Sequence, residues 1–211
     1  MNILKPQKVI LENLNKINNL LEISSNDEVN NIILSYYKDE NIEISGMEIE
    51  KSIIKNTDII NSTLNKNTFV DIKFENCNFS NTSFDECVFI RCEFNNCKMT
   101  GCNFIQSRLF NVTFNQSNMN YTNLSSANIE NVEFKETGLI NSNFQENRFK
   151  NVVFKKADLT GVHFFNTSLK GIDLSDSTIS GIACSLNDIK GCIINELQAV
   201  ELIHLLGIKL K

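Results

Sequence analysis

The sequence predicts an all-β solenoid: a four-sided β-helix with helical ends. Three observations carry this. Every fifth residue from Ile44 to Ile194 is apolar, an unbroken series of 31 positions that holds 13 of the 15 Phe and includes Cys184. A companion series two residues earlier, from Ile42 to Cys192, is mostly small, with Thr57, Ser62, Cys77, Thr82, Cys87, Cys92, Cys97, Cys102, Ser107 and Ala127 among its members. The other three positions of each five are mainly Asn, Asp, Glu, Lys, Ser and Gly. A period of five matches neither a helix nor a flat strand. One large and one small inward residue per five require a corner in every repeat. Four corners close a coil of 20 residues, and coils stack. At roughly 4.8 Å per coil the rod is about 35–40 Å long.

The elements follow in chain order. Residues 1–41 break the five-residue pattern and read as a helical N-terminal cap. Ile10, Leu14, Ile17 and Leu21 have helical spacing after Pro6, a favoured first residue. Ser25-Asn26-Asp27-Glu28 has the form of a capping box ahead of Val29, Ile32, Ile33 and Tyr36. Residues 42–194 are the β-helix. Phe74, Phe94, Phe114, Phe134 and Phe154, each 20 apart, stack as one column of its core with Leu174 above them. Asn111, Asn131 and Asn151 follow the corners of one face, where Asn tolerates turn conformations and replaces Gly and Pro. Residues 195–211 form a C-terminal helix and tail, with Asn195 as N-cap, Gln198 three residues on, and Gly207 as stop.

Composition excludes several classes. The 25 Asp+Glu against 20 Lys+Arg, a net charge of -5, argue against a protein that coats nucleic acid. No apolar run approaches a membrane span, and Met1 to Ile10 lacks the form of a secretory signal. The expected compartment is the cytoplasm, with the seven Cys reduced.

Ala157-Asp158-Leu159-Thr160-Gly161, Ala127-Asn128-Ile129-Glu130-Asn131 and Cys102-Asn103-Phe104-Ile105-Gln106 resemble the A(D/N)LXX motif of the pentapeptide repeat family. The resemblance covers about residues 42–194 and implies a right-handed quadrilateral β-helix. The tail, with Gln198-Ala199 and Leu206-Gly207-Ile208, is similar to the C-terminal dimerisation segment of the Qnr quinolone-resistance proteins. That similarity implies a homodimer, and DNA gyrase or topoisomerase IV as the partner of a rod that mimics DNA. Two features depart from Qnr proteins of Gram-negative origin: the register has no room for a projecting loop, and the N-terminus differs.

No catalytic, cofactor or metal site is expected. His163 stands alone on an outer face, His204 lies in the terminal helix, and neither a phosphate loop nor a nucleophile motif is present. Cys87, Cys92, Cys97 and Cys102 occupy one turn of the coil, but their spacing of five is set by the repeat and lacks the knuckles of zinc sites. They read as core packing. Two surfaces suit partners. Val70, Ile90 and Phe110, with Val88 beside them, form an outward apolar column that is either a partner site or the bed for the N-terminal helices. Leu197, Leu202, Leu205, Leu206 and Ile208 exceed what one face of a capping helix can bury, which points to a dimer through the C-terminal ends. Neither direct nucleic-acid binding nor membrane binding is expected.

Overall fold

A computed structural model describes residues 3–7, 14–20 and 28–208. The chain is a parallel β-solenoid in which each residue meets the one 20 positions on. Strands of three residues recur on one side, Glu48–Glu50, Thr68–Val70 and Val88–Ile90, and on the next, Ile53–Lys55, Lys73–Glu75 and Glu93–Asn95. From Arg108 onward the strands of these two sides run through the corner as Arg108–Asn115, Asn128–Lys135 and Arg148–Lys155. The other two sides are joined mainly by single bridges such as Asn78↔Lys98 and Ser83↔Asn103, with one strand pair, Lys38–Glu40 and Asp58–Ile60. Backbone N–H groups donate to the coils on either side, as in Thr68 N to Met47 O at 2.8 Å and Ile59 N to Asn78 O at 2.8 Å.

Many corners are made by residues in the left-handed region other than glycine, from Lys51 at φ 45° to Tyr121 at φ 60°. Each such residue costs about 1–2 kcal/mol, less for Asn. The inter-coil hydrogen bonds on both flanks over-determine the geometry, so the corner needs neither Gly nor Pro. Where Asn stacks on Asn the side chains add a ladder: Asn76 Nδ2 donates to Asn56 Oδ1 at 3.3 Å and Asn96 Nδ2 to Asn76 Oδ1 at 2.7 Å.

The core is the Phe ladder. Phe74–Phe94, Phe94–Phe114, Phe114–Phe134 and Phe134–Phe154 stack at 4.4, 4.8, 5.1 and 5.1 Å between centroids. Rings from adjacent sides meet edge to face, as Phe74 and Phe79 do at 5.7 Å and 82°. The small inward residue has a chemical role as well as a steric one. Thr82, Cys102, Ser107 and Thr137 each donate to the carbonyl 23 residues back, on Ile59 (2.8 Å), Phe79 (2.9 Å), Phe84 (3.0 Å) and Phe114 (3.0 Å).

The N-terminal expectation is corrected. Where residues 1–41 are described they are mainly strand, with no α-helix. Glu28–Asn30, Ile32–Ser35 and Lys38–Glu40 are strands paired with the coil that follows, and Asn15–Ile17 pairs with Ile32–Leu34. Val29, Ile32, Ile33 and Tyr36, spaced as a helix face, belong to the coil instead. Ile32, Leu34 and Tyr37 point inward and Tyr36 is a left-handed corner. The apolar series breaks at Asp39, whose carboxylate accepts the Tyr37 hydroxyl at 2.7 Å, and the coil continues through that pair. Pro6 lies in chain without regular secondary structure. Ile10, Leu21 and Ser25-Asn26-Asp27 lie outside the described residues.

At the other end two short helices close the rod, α1 (Leu186–Ile189) and α2 (Glu196–Leu202), the latter followed by a 3-10 turn at Ile203–Leu206 and by Gly207 at φ 69°. Asn195 and Gln198 form a reciprocal capping box. Gln198 also donates through Nε2 to Leu174 O (2.8 Å) and Ser177 O (2.7 Å), and Asn195 Nδ2 donates to Ser175 O (2.8 Å). Side chains here replace the backbone donors of a missing next coil, which is how the free edge is closed.

Candidate interaction surfaces

The apolar column lies on the side formed by Thr68–Val70, Val88–Ile90 and the start of Arg108–Asn115, in the register Val70↔Ile90↔Phe110. Val70, Val88 and Ile90 are half-buried and Phe110 is 39% exposed. Val88, Ile90, Arg108, Leu109, Phe110, Asn128 and Glu130 line a shallow trough over the backbone of this side.

The corner beside that column carries an unanticipated feature. Residues 3–7 run along the outside of the rod as a strap. Leu4 N donates to Asn111 Oδ1 at 3.2 Å and Gln7 N to Asp71 Oδ1 at 2.9 Å. Asp71 and Asn111 are corner residues, yet both are buried. Between them Arg91 grips Asp71 with both arms of its guanidinium, Nε to Oδ1 at 2.6 Å and Nη2 to Oδ2 at 2.7 Å. Burial alone would raise the Asp71 carboxyl, but the Arg91 hydrogen bonds, the Gln7 N–H and the nearby charges of Arg91 and Lys51 outweigh it and hold it below its ordinary value. Residues 3–7 thus meet the rod next to the column, and they are not helical. The sequence signal for the ion pair was Asp71 and Arg91, one acid and one base a coil apart in a corner column that also holds Asn31, Lys51, Asn111, Asn131 and Asn151.

The C-terminal end is the second surface. Leu197, Val200 and Ile208 are exposed by 79%, 54% and 49%, while Leu202 and Leu205 are half-buried. Leu186, Ile189, Cys192, Ile194, Ala199, Leu202, Ile203 and Leu205 line an almost wholly apolar depression there. Leu206 is in the 3-10 turn, and Leu210 lies outside the described residues.

The thiols are core groups. Cys87, Cys92, Cys97 and Cys102 are buried, and each donates to the carbonyl 23 residues back, on Leu64, Phe69, Phe74 and Phe79. Burial pushes Cys87, Cys92 and Cys102 up to about 12. Cys97 is pushed up first by the stacked Cys77 thiol and then by burial. Among the described residues no group of three or more His, Cys, Asp or Glu could hold a metal ion, and no helix is long and apolar enough to cross a membrane. His163 is exposed, with its ring 6.4 Å from that of Phe165.

Charge is arranged along the axis. Lys38–Asp58, Lys66–Glu86, Lys73–Glu93, Arg91–Asp71 and Lys150–Glu130 are all ion pairs between residues 20 apart, so these charges are met by the neighbouring coil. Lys155, Lys156 and Lys170 lie beyond them on the upper coils.

Residues 67–141 and 87–164 match the family model of the pentapeptide repeat region. No curated protein sequence matches. Among solved structures, a trypsin-treated form of QnrB1, a plasmid-mediated fluoroquinolone resistance protein, is 18% identical, covering 93% of this chain and 96% of that chain with a TM-score of 0.47. HetL, a pentapeptide repeat protein involved in heterocyst differentiation regulation in the cyanobacterium Nostoc, is 14% identical, covering 80% and 87% with a TM-score of 0.37. A pentapeptide repeat protein of the Arabidopsis thaliana thylakoid lumen is 17% identical, covering 47% and 66% with a TM-score of 0.39.

Proposed function

We propose that this pentapeptide repeat protein acts without catalysis, as a rigid interaction rod that presents the Val70/Val88/Ile90/Phe110 side to a protein partner and pairs with a second copy through its C-terminal end. The observation that carries this reading is the half-open apolar column itself. The strap covers the corner beside it and leaves Phe110 39% exposed. An apolar strip on an otherwise polar rod marks a contact surface. The test is capture from host extract with wild-type protein, Phe110→Asp and Leu202→Asp. A partner lost with Phe110→Asp and retained by Leu202→Asp supports the side as the site. A partner set unchanged by Phe110→Asp refutes it.

A second reading takes the partner to be DNA gyrase or topoisomerase IV, with the rod as a DNA mimic that confers quinolone resistance. It draws on the Gln198-Ala199 and Leu206-Gly207-Ile208 tail and on the rod form of stacked 20-residue coils. The charge distribution opposes it. Between residues 44 and 194 there are 16 acids and 14 bases, and four of those bases, Lys66, Lys73, Arg91 and Lys150, are paired along the axis. Duplex DNA bears one charge per roughly 1.7 Å. A supercoiling assay with a fluoroquinolone decides the matter: recovery of supercoiling at micromolar protein supports the mimic, and no recovery disposes of it.

A further inference from the structure

The strap shows what kind of chain this rod can hold. Leu4 and Gln7, three residues apart, both turn their N–H groups to one corner column, and their acceptors Asn111 and Asp71 are two coils apart. A polyproline-II chain has three residues per turn and rises about 9.3 Å in that turn, so residues i and i+3 face the same way. Two coil spacings are about 9.6 Å. A flat strand rises as far over three residues but turns i and i+3 to opposite sides. Pro6, with its backbone fixed in the polyproline range, lies between the two contacts. The solenoid is thus a ruler of two coils for a chain that repeats every three residues.

The same spacing recurs, without an occupant among the described residues, on the side next to the strap. Arg108, Asn128 and Arg148 are one column by register, so the two arginines are two coils apart. Both are exposed, and among the described residues neither forms an ion pair, whereas Arg91 and four lysines pair with an acid in a neighbouring coil. Arg108 lines the trough, whose apolar part is Val88, Ile90 and Phe110 and whose far edge is Asn128 and Glu130, the latter paired with Lys150. An arginine fork binds a carboxylate through two parallel hydrogen bonds.

We propose that this side receives a polyproline-II segment of a partner protein that carries carboxylates three residues apart, one on Arg108 and one on Arg148, and an apolar side chain in the trough. This rests on the reading of the side as a partner surface and names the chemistry of what it takes. Such a segment arrives pre-extended, so little ordering entropy opposes its docking.

Two labelled proline-rich peptides of identical composition test it against the full-length protein by fluorescence anisotropy. One has Glu at i and i+3 beside a Phe; the other has the Glu residues at i and i+2. The first should bind at least about tenfold tighter than the second, lose about tenfold on Arg108→Glu or Arg148→Glu, and weaken as salt rises. Equal binding of the two peptides, no binding of either, or indifference to both arginines overturns the proposal. The capture comparison with Phe110→Asp is read separately. A partner that depends on Phe110, together with peptides that do not discriminate, leaves the partner surface standing and removes only the peptide chemistry.

Discussion

At the residue scale, the small inward position explains why one chain can use Cys, Ser and Thr interchangeably at its corners. Where the position holds Ser, Thr or Cys the short side chain also donates to a carbonyl, while Val112, Ala127, Val132 and Ala157 fill the same place by size alone. Thr122 Oγ1 donates to Met99 O at 3.2 Å just as Cys102 Sγ donates to Phe79 O at 2.9 Å. Thr122→Val keeps the volume and removes the donor, and should cost about 0.5–1.5 kcal/mol in denaturant titration. Cys102→Ser keeps the donor and should stay within about 1 kcal/mol. The size of this residue was legible in the sequence. Its hydrogen bond was not, because a small residue beside a Phe reads first as a lack of room. Asp71 gives a second prediction. Its folded carboxyl sits below its ordinary value, so its contribution is complete above the unfolded carboxylate pKa of about 3.9 and is lost as pH falls through the lower folded value. Asp71→Asn should lower stability by about 2–3 kcal/mol near neutrality and flatten the acid limb of the melting profile below about pH 4. An acid limb identical to that of wild type would place the titrating group elsewhere.

At the element scale, the two ends show what a repeat rule can and cannot read. Val29, Ile32, Ile33 and Tyr36 satisfy helical spacing, and Val29, Ile32, Leu34 and Tyr37 satisfy the solenoid's own. Local pattern could not choose between them once Asp39 interrupted the apolar series. Pairing with the next coil decided it, through contacts such as Lys38↔Asp58 and Glu28↔Glu48 that lie 20 residues away. The strap was illegible for a similar reason: five residues with no periodicity bind through main-chain N–H groups, which every sequence has. The C-terminal cap, by contrast, was legible from Asn195 and Gln198, although the second duty of Gln198 was not. Gln198 is 4% exposed and satisfies two carbonyls of the last coil. Gln198→Ala should therefore release more than a helix cap, about 2–3 kcal/mol for two buried acceptors. Hydrogen exchange should quicken in the last coil and be unchanged around Phe94. Uniform acceleration along the rod would show instead that the coils unfold as one unit.

At the scale of the whole molecule, a solenoid differs from a globule because it has two ends and no closed core. Every interior coil is covered by its neighbours, so any surface left over is concentrated at the termini. The first described strand at the N-terminal end is Asn15–Ile17, paired to Ile32–Leu34. The C-terminal end is sealed for hydrogen bonding by Gln198 and Asn195 but not for apolar area: Leu197, Val200 and Ile208 remain exposed, and the depression lined by Ile194, Leu202 and Leu205 stays open. The two kinds of closure are separable, and that makes dimerisation testable without disturbing the fold. Leu202→Asp with Leu205→Asp places carboxylates in the depression while the capping box and its bonds to Leu174 and Ser177 are kept. The variant should sediment as a monomer where wild type sediments as a dimer, with the far-UV spectrum of the solenoid unchanged. The melting temperature of wild type should rise with protein concentration and that of the variant should not. A wild-type protein that is monomeric at all concentrations, or a double variant that still sediments as a dimer, would move the interface away from this end.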